Sequence, residues 1–511
     1  MMRIIQLLTV LLFLFWPLAP AYADCASPAG VAGDVIWNET AERPAYCDGT
    51  NWRNFLKENA ASSGVNAITV GGNSACARKP GGELYCWGSN ADGSTGLGTT
   101  SGIQSTPAQV GIESDWTQVS STRGLLEFST CGLRDKVLYC WGSRARNIPS
   151  PSSTSGVQTT PIQVGSFTDW DLVHSGTYHA CAIRGGALYC WGYNGYGQIG
   201  VGYVSAGNIT TPTQIGTATD WTDVAGGTAH TCGLRGTGEL YCWGSNGGAA
   251  TGRGLTSGET LVPTKVGTDT DWEKITAGNQ FSCGIRAGEL YCWGSNGNGM
   301  TGRGTTSGNT TTPTKIGTET NWDFVATGIL ASCGLRDGAL YCWGANNSGV
   351  TGQGLISGST NVPTQVGTNT DWNTVALAIS NACGLRGSDL YCWGTNTNGA
   401  TGIGTTSGNQ LTPALVEASW GSFGSGGGGS GGSGPCTAPD GVVGDIVYNA
   451  THHVLQYCDG AVWHAVGPTL GATGAGCANP AGVEGDIIFN TTHNKVQYCN
   501  GTGWHHVAPA F

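Results

Sequence analysis

Cysteine is the residue type in this sequence whose number and spacing point most directly to chemistry. The chain has 20 cysteines among 511 residues, and most of them recur in pairs nine or ten positions apart. In a reducing cytosol such cysteines suggest metal ligands or nucleophiles, whereas in an oxidising compartment an even number indicates a disulfide framework. The compartment therefore decides which chemistry applies.

The first residues indicate the compartment. Residues 1–23 combine a basic residue, Arg3, with an apolar run and a small-residue cleavage site that ends at Ala23, which is typical of a secretory signal peptide. The apolar run is too short to anchor the chain in a membrane, and Asp24 separates Ala23 from Cys25, which argues against lipidation. We expect a protein that is secreted, at the cell surface or in a periplasm, with no membrane span in the mature chain.

A pentapeptide, Leu-Tyr-Cys-Trp-Gly, occurs seven times at a period of about 50 residues, and a fixed period of this size indicates a repeat array. Each unit, such as residues 220–267, contains four strand-like pieces: Trp-x-x-Val, Thr-Cys-Gly-Leu-Arg, Leu-Tyr-Cys-Trp-Gly and Pro-Thr-Lys-Val. With 87 glycines and 11% charged residues, the composition suits short strands and tight turns. The sequence therefore predicts an all-β protein whose main domain is a seven-bladed β-propeller.

The second and third pieces of a unit predict how the cysteines pair. In residues 333–342, a two-residue Asp337-Gly338 turn of type I′ sets Cys333 opposite Cys342. This is then a non-hydrogen-bonded pair with Cα atoms about 4.5 Å apart, which a disulfide tolerates. Each such bridge joins two strands of the same blade. Closure of the ring must therefore come from packing between the sheets of neighbouring blades. The seven expected bridges are Cys76–Cys86, Cys131–Cys140, Cys181–Cys190, Cys232–Cys242, Cys283–Cys292, Cys333–Cys342 and Cys383–Cys392.

Three similar short segments flank the repeat array. Each has two cysteines 22 positions apart and a closing Trp, and each is predicted to form three short antiparallel strands around one disulfide, because so short a segment buries little core. The expected bridges are Cys25–Cys47, Cys436–Cys458 and Cys477–Cys499. The expected organisation is a signal peptide (1–23), a two-cysteine module (24–53), a linker (54–64), the propeller (65–420), a Gly/Ser linker (421–434), a two-cysteine module (435–466), a linker (467–476) and a third two-cysteine module (477–511).

The array resembles the regulator of chromosome condensation repeat family over about residues 65–420. The matching motifs are His-Thr-Cys-Gly-Leu-Arg at 230–235, Gly-Glu-Leu-Tyr-Cys-Trp-Gly at 238–244 and Asn-Gly-Tyr-Gly-Gln-Ile-Gly at 194–200. Most units depart from the family's turn pattern, and they add the cysteine pair. The resemblance implies a propeller. Because family members serve as nucleotide-exchange factors, β-lactamase inhibitors and adapters, it implies protein binding without identifying the partner. Export argues against a small-GTPase partner.

A functional site is expected where the repeat is broken, because a site needs different groups to converge. Unit 2 has four extra residues between Val119 and Cys131, and unit 3 adds several tyrosines to its loops. Arginine, aromatic and apolar loop residues are the usual composition of a protein-binding hot spot. The alternative is that the unit 2 loop packs over the central channel or a neighbouring blade. The candidate binding residues are Arg123, Leu125, Leu126, Phe128, Arg144, Arg146, Tyr178, Tyr193, Tyr196 and Tyr203.

Other chemistries find less support. Six of the nine histidines lie in the last two modules, but adjacent histidines on a strand point to opposite faces and no third ligand is suitably spaced, so a solvated surface is favoured over a zinc or copper site. We expect no metal, no cofactor and no catalytic residues, since no known catalytic motif is found. A net charge of -11 with scattered Lys and Arg argues against a nucleic-acid partner.

The sequence therefore favours a non-catalytic binding protein, secreted or displayed at the cell surface, as in adhesion. Its propeller loops would recognise an extracellular or cell-envelope protein or glycan, and the small modules would act as tethers or secondary binding units. Inhibition of an extracellular enzyme is an alternative within the binding class. A propeller enzyme acting on extracellular glycans is the alternative from another class, and it would require acid, base or metal groups at the channel mouth. The oligomeric state is left open.

Overall fold

The computed structural model describes most of residues 67–420, together with eleven short strands outside that range. Residues 61–423 form one compact unit, in which seven four-stranded antiparallel sheets follow one another, each with its strands in chain order. The prediction of an all-β, seven-bladed propeller is confirmed. No described helix is long and apolar enough to cross a membrane. Within 67–420, the residues that are not described are 125–127, 146–147, 149–155, 206, 357 and 419.

Each blade contains four strands, named first to fourth in chain order. The first strands are Ile68–Val70, Trp116–Ser121, Trp170–Ser175, Trp221–Gly226, Trp272–Ala277, Trp322–Thr327 and Trp372–Leu377. The second strands are Ser74–Arg78, Ser129–Arg134, His179–Arg184, His230–Arg235, Phe281–Arg286, Ala331–Arg336 and Asn381–Arg386. The third strands are Leu84–Ser89, Val137–Ser143, Ala187–Tyr193, Glu239–Ser245, Glu289–Ser295, Ala339–Ala345 and Asp389–Thr395. The fourth strands are Ile103–Gln109, Val157–Gln163, Asn208–Gln214, Glu259–Lys265, Asn309–Lys315, Ser359–Gln365 and Asn409–Glu417.

Helix is almost absent from the described residues. Three single turns of 3-10 helix follow the third strands of blades 4, 5 and 7. They are Gly247–Ala249, Gly297–Gly299 and Thr397–Gly399.

The first strands lie at the centre of the ring. Each contacts the first strands of both neighbouring blades, including blade 7 with blade 1, and together they line a central channel. Side chains of one first strand also bond the backbone of the next: Ser120 Oγ accepts a hydrogen bond of 2.8 Å from the N–H of Ser175, and Thr276 Oγ1 accepts one of 3.2 Å from Thr327. Neighbouring blades are thus joined near the axis by polar contacts as well as by packing.

The predicted hairpin register is confirmed. Cys333 pairs with Cys342 across the second and third strands, Leu335 with Leu340 and Arg336 with Ala339. Asp337 has a φ of 48° and Gly338 a φ of 71°, as a type I′ turn requires at both positions. All seven predicted blade disulfides are present, with Cα–Cα distances of 4.0 to 4.1 Å. The side chains of the six flanking cysteines lie outside the described residues, so those three bridges stay predictions.

The tryptophan of Leu-Tyr-Cys-Trp-Gly packs between blades. Trp141, Trp293 and Trp343 are fully buried, as are their counterparts in the other four blades. The indole Nε1 of Trp141 donates to the Ser94 carbonyl at 2.9 Å, in the loop after the third strand of the preceding blade. Trp343 reaches back in the same way to the Met300 carbonyl at 2.9 Å. The motif is therefore structural: its cysteine closes a hairpin and its tryptophan joins two blades.

Trp420 closes the ring. The first strand of blade 1 does not begin with the tryptophan that begins the other six, and Trp420 fills that position from the other end of the chain. Its ring packs edge-to-face on Tyr85 and Trp87, with centroids 5.3 and 6.3 Å apart, and its Nε1 donates to the Arg78 carbonyl at 3.1 Å. An ion pair of 2.8 Å between Lys79 and Glu417 lies beside it.

The strands outside the propeller form small antiparallel sheets, one per predicted three-stranded module, with an extra two-stranded pair at the N-terminal end. In each three-stranded sheet the strands follow chain order. The N-terminal strands are Cys25–Ala26, Ala29–Gly30, Val35–Asn38, Arg43–Cys47 and Trp52–Asn54. The C-terminal strands are Ile446–Asn449, Val454–Cys458, Trp463–Val466, Ile487–Asn490, Lys495–Cys499 and Trp504–His506.

Removing one blade disulfide is expected to weaken the propeller measurably. A Cys333→Ala, Cys342→Ala double variant should lose about 2–3 kcal/mol of unfolding free energy, because the bridge closes a short loop in the unfolded chain. Alanine avoids burying a hydroxyl at two fully buried positions. Urea unfolding of the double variant and the wild type under non-reducing conditions measures the loss, and a difference below about 0.5 kcal/mol would contradict the expectation.

Candidate functional site

The described candidate residues share one face of the propeller. In an antiparallel sheet of four consecutive strands, the loops after the first and third strands lie at the same edge, and the candidates lie in these loops or at the strand ends beside them. This face is called the candidate face. Its candidate residues are Arg123, Phe128, Arg144, Tyr178, Tyr193, Tyr196 and Tyr203. Leu125, Leu126 and Arg146 lie outside the described residues.

Arg123 enters the mouth of the central channel. Its Nη1 donates to the carbonyl oxygens of Ala277 at 3.1 Å and Thr327 at 2.7 Å, which end the first strands of blades 5 and 6. Its Nη2 lies 3.2 Å from His174 Nε2 of blade 3. Burial lowers the pKa of Arg123 to about 10, so the guanidinium is charged at neutral pH. One side chain of blade 2 thus contacts three other blades across the channel.

Phe128 and Arg144 contact residues of the propeller itself. Phe128 is buried, and a Cβ placed on Gly72 would lie only 2.2 Å from its ring, so the glycine of blade 1 leaves the space that this ring fills. The Arg144 guanidinium donates to the Gln158 side chain on the fourth strand of the same blade. These contacts are of the kind expected if the blade 2 loop packs over neighbouring structure.

Three tyrosines of blade 3 form a row, called the tyrosine ladder, on the candidate face. The Tyr193 ring centroid lies 6.3 Å from that of Tyr178 and 6.1 Å from that of Tyr196, both edge-to-face, a preferred geometry for aromatic pairs. Tyr196 is 43% exposed, and Tyr203 in the same loop is 55% exposed. The ladder therefore presents ordered aromatic surface to solvent.

Asn194 holds the loop that carries Tyr196 and Tyr203. Its side-chain amide donates to the Tyr203 carbonyl at 2.7 Å, and its Oδ1 accepts from the N–H of Ile199 at 3.1 Å. The Gln198 side chain accepts a further bond of 2.9 Å from the N–H of Tyr196. Asn194 itself is fully buried. Because these bonds fix the loop backbone, the exposed tyrosines are presented on an ordered support.

Two ionisable residues of the channel were not predicted from the sequence. Asp223 and Lys274 line the channel from the third positions of neighbouring first strands, where the adjoining blades have Leu172 and Phe324. Burial raises the pKa of Asp223 to about 6, against the opposing effect of the Lys274 charge. The sequence contained a signal for these two residues, because the third residue of the Trp-x-x-Val piece differs from unit to unit. Alternate side chains of an inner strand face the axis, so a variable third residue is a candidate for the channel.

The histidine of the repeat joins neighbouring blades. His179 Nε2 lies 2.8 Å from Thr231 Oγ1 of the next blade, and His230 Nε2 lies 2.9 Å from Ser282 Oγ. Burial lowers the pKa of His230 to about 4. Burial, together with the nearby His230, lowers the pKa of His179 to about 3. Both rings are therefore neutral at pH 7. In the part of the chain that the structure describes, no group of three His, Cys, Asp or Glu is placed to hold a metal ion.

Comparison with known families agrees with this architecture. Residues 185–234 and 237–285 match the family described as Regulator of chromosome condensation (RCC1) repeat, and residues 65–94 and 272–299 match a second description of the same repeat. Stretches of blades 1, 3, 4 and 5 therefore match the RCC1 repeat. The matched stretches include the His-Thr-Cys strand of blade 4 and the Asn194 loop of blade 3, so the inter-blade histidine and the loop asparagine lie within the recognisable RCC1 repeat.

Solved structures have the same fold. The crystal structure of human WBSCR16 is 19% identical with a TM-score of 0.58, and the match covers 66% of this chain and 95% of that one. Prp20p from Saccharomyces cerevisiae is 17% identical with a TM-score of 0.59, covering 71% of this chain and 89% of that one. At these identities the likeness shows the fold alone.

Proposed function

We propose that this protein is a secreted or surface-displayed, non-catalytic binding protein that recognises a protein or glycan partner through the candidate face. The observation that carries the proposal is the tyrosine ladder with the neighbouring Tyr203. Tyr193 stands where blades 2, 4 and 5 have serine at the end of the third strand. The aromatic surface is therefore specific to one blade and is not required by the repeat.

The chemistry of the ladder suits recognition. Tyrosine offers a large apolar ring and a hydroxyl at low entropic cost, which is why it is enriched in binding hot spots. Exposed Val204 extends the apolar surface beside Tyr203. The seven blade disulfides suit an oxidising compartment. Protein binding also fits structures of related fold, since one is described as Kap60 bound to yeast RCC1 (Prp20).

A capture experiment tests the proposal. The full-length wild type is used to capture partners from cell-envelope and culture-medium fractions, and affinity for the captured partner is then measured with purified components. A Tyr196→Ser, Tyr203→Ser double variant should bind about 30-fold or more weakly, as for removal of a hot spot worth about 2 kcal/mol. A glycan array run with the same pair of proteins distinguishes a glycan from a protein partner.

The matched control is Ile112→Ser. Ile112 is 92% exposed and lies in the loop after the fourth strand of blade 1, on the opposite face, so this variant should bind as the wild type does. Equal binding by the tyrosine variant and the wild type, with both folded, would overturn the assignment of the candidate face.

A further inference from the structure

The central channel contains polar groups that the tyrosine ladder does not use. It is lined by residues from all seven blades, and its cavity volume is about 100 Å³. Most of the described lining is aliphatic or carries small hydroxyls, and its ionisable residues are Arg123, His174, Asp223 and Lys274. The question is what these four groups do at the axis of the ring.

The hydrogen-bond arrangement around His174 leaves two donors facing each other. The backbone N–H of Gly226 donates to His174 Nδ1 at 3.1 Å. Burial and the charge of Arg123 hold the pKa of His174 well below its usual value, so the ring is neutral and has one N–H. That hydrogen is on Nε2, since Nδ1 accepts. The Nε2–H therefore lies 3.2 Å from Arg123 Nη2, which is also a donor.

Among the described contacts of Arg123, no acceptor lies between Nη2 and the His174 Nε2–H. The carbonyls of Ala277 and Thr327 accept from Nη1, and Nη2 faces only the imidazole in the described contacts. Two N–H groups that meet at a cavity wall are both satisfied when one external acceptor bonds to both. A water oxygen or an oxyanion can accept both bonds, and only the oxyanion also complements the positive charge of Arg123.

The charges in the channel favour the anion over water. Arg123 and Lys274 are cations, and Asp223 is the one carboxylate among the described lining residues. The side chains of the lining reduce the local screening by water, which strengthens the attraction between the excess positive charge and an anion.

We propose that the channel binds a small oxyanion, a phosphate or a simple carboxylate, held by Arg123 Nη2 and His174 Nε2 with Lys274 as a further cation deeper in the channel. This site is independent of the tyrosine ladder. An anion there would fix the side chain that contacts blades 3, 5 and 6, and would thus contribute to the stability of the ring from its axis.

Isothermal titration calorimetry of the full-length protein at pH 6.5 and constant ionic strength tests the site, with inorganic phosphate in one arm and acetate in the other. Saturable binding of one anion per chain is expected in at least one arm, and the arm that binds identifies the anion as tetrahedral or carboxylate. Arg123→Gln should weaken that affinity at least tenfold, because it removes the charge and the paired donor.

The matched control is Arg134→Gln, which removes an equal charge on the opposite face, where Arg134 pairs with Glu113 and Asp115; its affinity should stay within twofold of the wild type. If Arg123→Gln does not fold, Lys274→Met provides the comparison, with affinity weakened about threefold or more. Absence of binding in both wild-type arms, or wild-type affinity in the channel variants, overturns the proposal.

Discussion

Replacing Trp420 with alanine is expected to lower the free energy of unfolding of the propeller by about 3–5 kcal/mol, the usual cost of truncating a fully buried aromatic side chain. The substitution removes the edge-to-face contacts with Tyr85 and Trp87 and the hydrogen bond to the Arg78 carbonyl. These contacts join the segment after the last strand, Asn409–Glu417, to the first blade. The loss is therefore expected to be localised at the closure of the ring.

Hydrogen exchange and urea unfolding together test this localisation, with Trp170→Ala as the matched control. Trp170 is equally buried and packs on Tyr189 of its own blade, but it is not at the closure. Both variants should lose similar stability, whereas only Trp420→Ala should lose amide protection in Ile68–Val70 and Asn409–Glu417. Equal loss of protection at those strands in both variants would show that Trp420 has no special part in closing the ring.

Lowering the pH from 7 to 4 is expected to destabilise the propeller by up to about 3 kcal/mol for each of His179 and His230. Burial holds their folded-state pKa values at about 3 and about 4, below the ordinary 6.5. Between those values the unfolded chain binds more protons than the folded one. The stabilisation is therefore complete above pH 6.5 and is lost as the pH falls towards about 4 for His230 and about 3 for His179. His174 contributes in the same direction.

Asp223 acts in the opposite direction. Its folded-state pKa is raised to about 6 from 3.8, so the folded chain binds more protons than the unfolded chain between these values, and Asp223 favours folding as the pH falls through that window. The histidines outnumber it, and a net loss of stability on acidification is expected.

A His230→Phe variant separates the histidine contribution. Blade 5 has Phe281 at the same strand position, fully buried, so the fold accommodates phenylalanine there. In urea unfolding between pH 4 and 7.5, the variant should be more stable than the wild type at pH 4 by about 2–3 kcal/mol once the curves are aligned at pH 7.5. Ser282→Ala is the control, because it removes the hydrogen-bond partner of His230 and leaves the titrating ring. Parallel pH profiles for His230→Phe and the wild type would refute the assignment.

The blade architecture is predictable from sequence because its determinants are local. The Asp337-Gly338 turn fixes the register of its hairpin, and the register brings Cys333 opposite Cys342. The repeated order of strand-like pieces then sets four strands per blade. Each of these inferences needs only residues within one unit, where spacing and turn chemistry decide the geometry.

The ring closure and the channel are not predictable in this way, because their contacts join distant units. Trp420 and Arg78 are 342 positions apart, and Arg123 reaches a carbonyl 204 positions away. Nothing in the spacing of one unit shows which blade an inward side chain will reach across the axis. The binding role of the tyrosine ladder remains a prediction from residue type, supported by the exposure of Tyr196 and by its ordered loop.

The closure at blade 1 has a mechanical consequence. The N–H of Arg78 donates to the Ala67 carbonyl at 2.7 Å, and the Arg78 carbonyl accepts from Trp420 at 3.1 Å, so both ends of the described ring meet at one residue. Tension applied through the two ends of the propeller would therefore load the contacts of Arg78 and Trp420 first. In a tethering protein, the seam would set the force at which the ring opens, while blade 3 and its tyrosines stay folded under smaller loads.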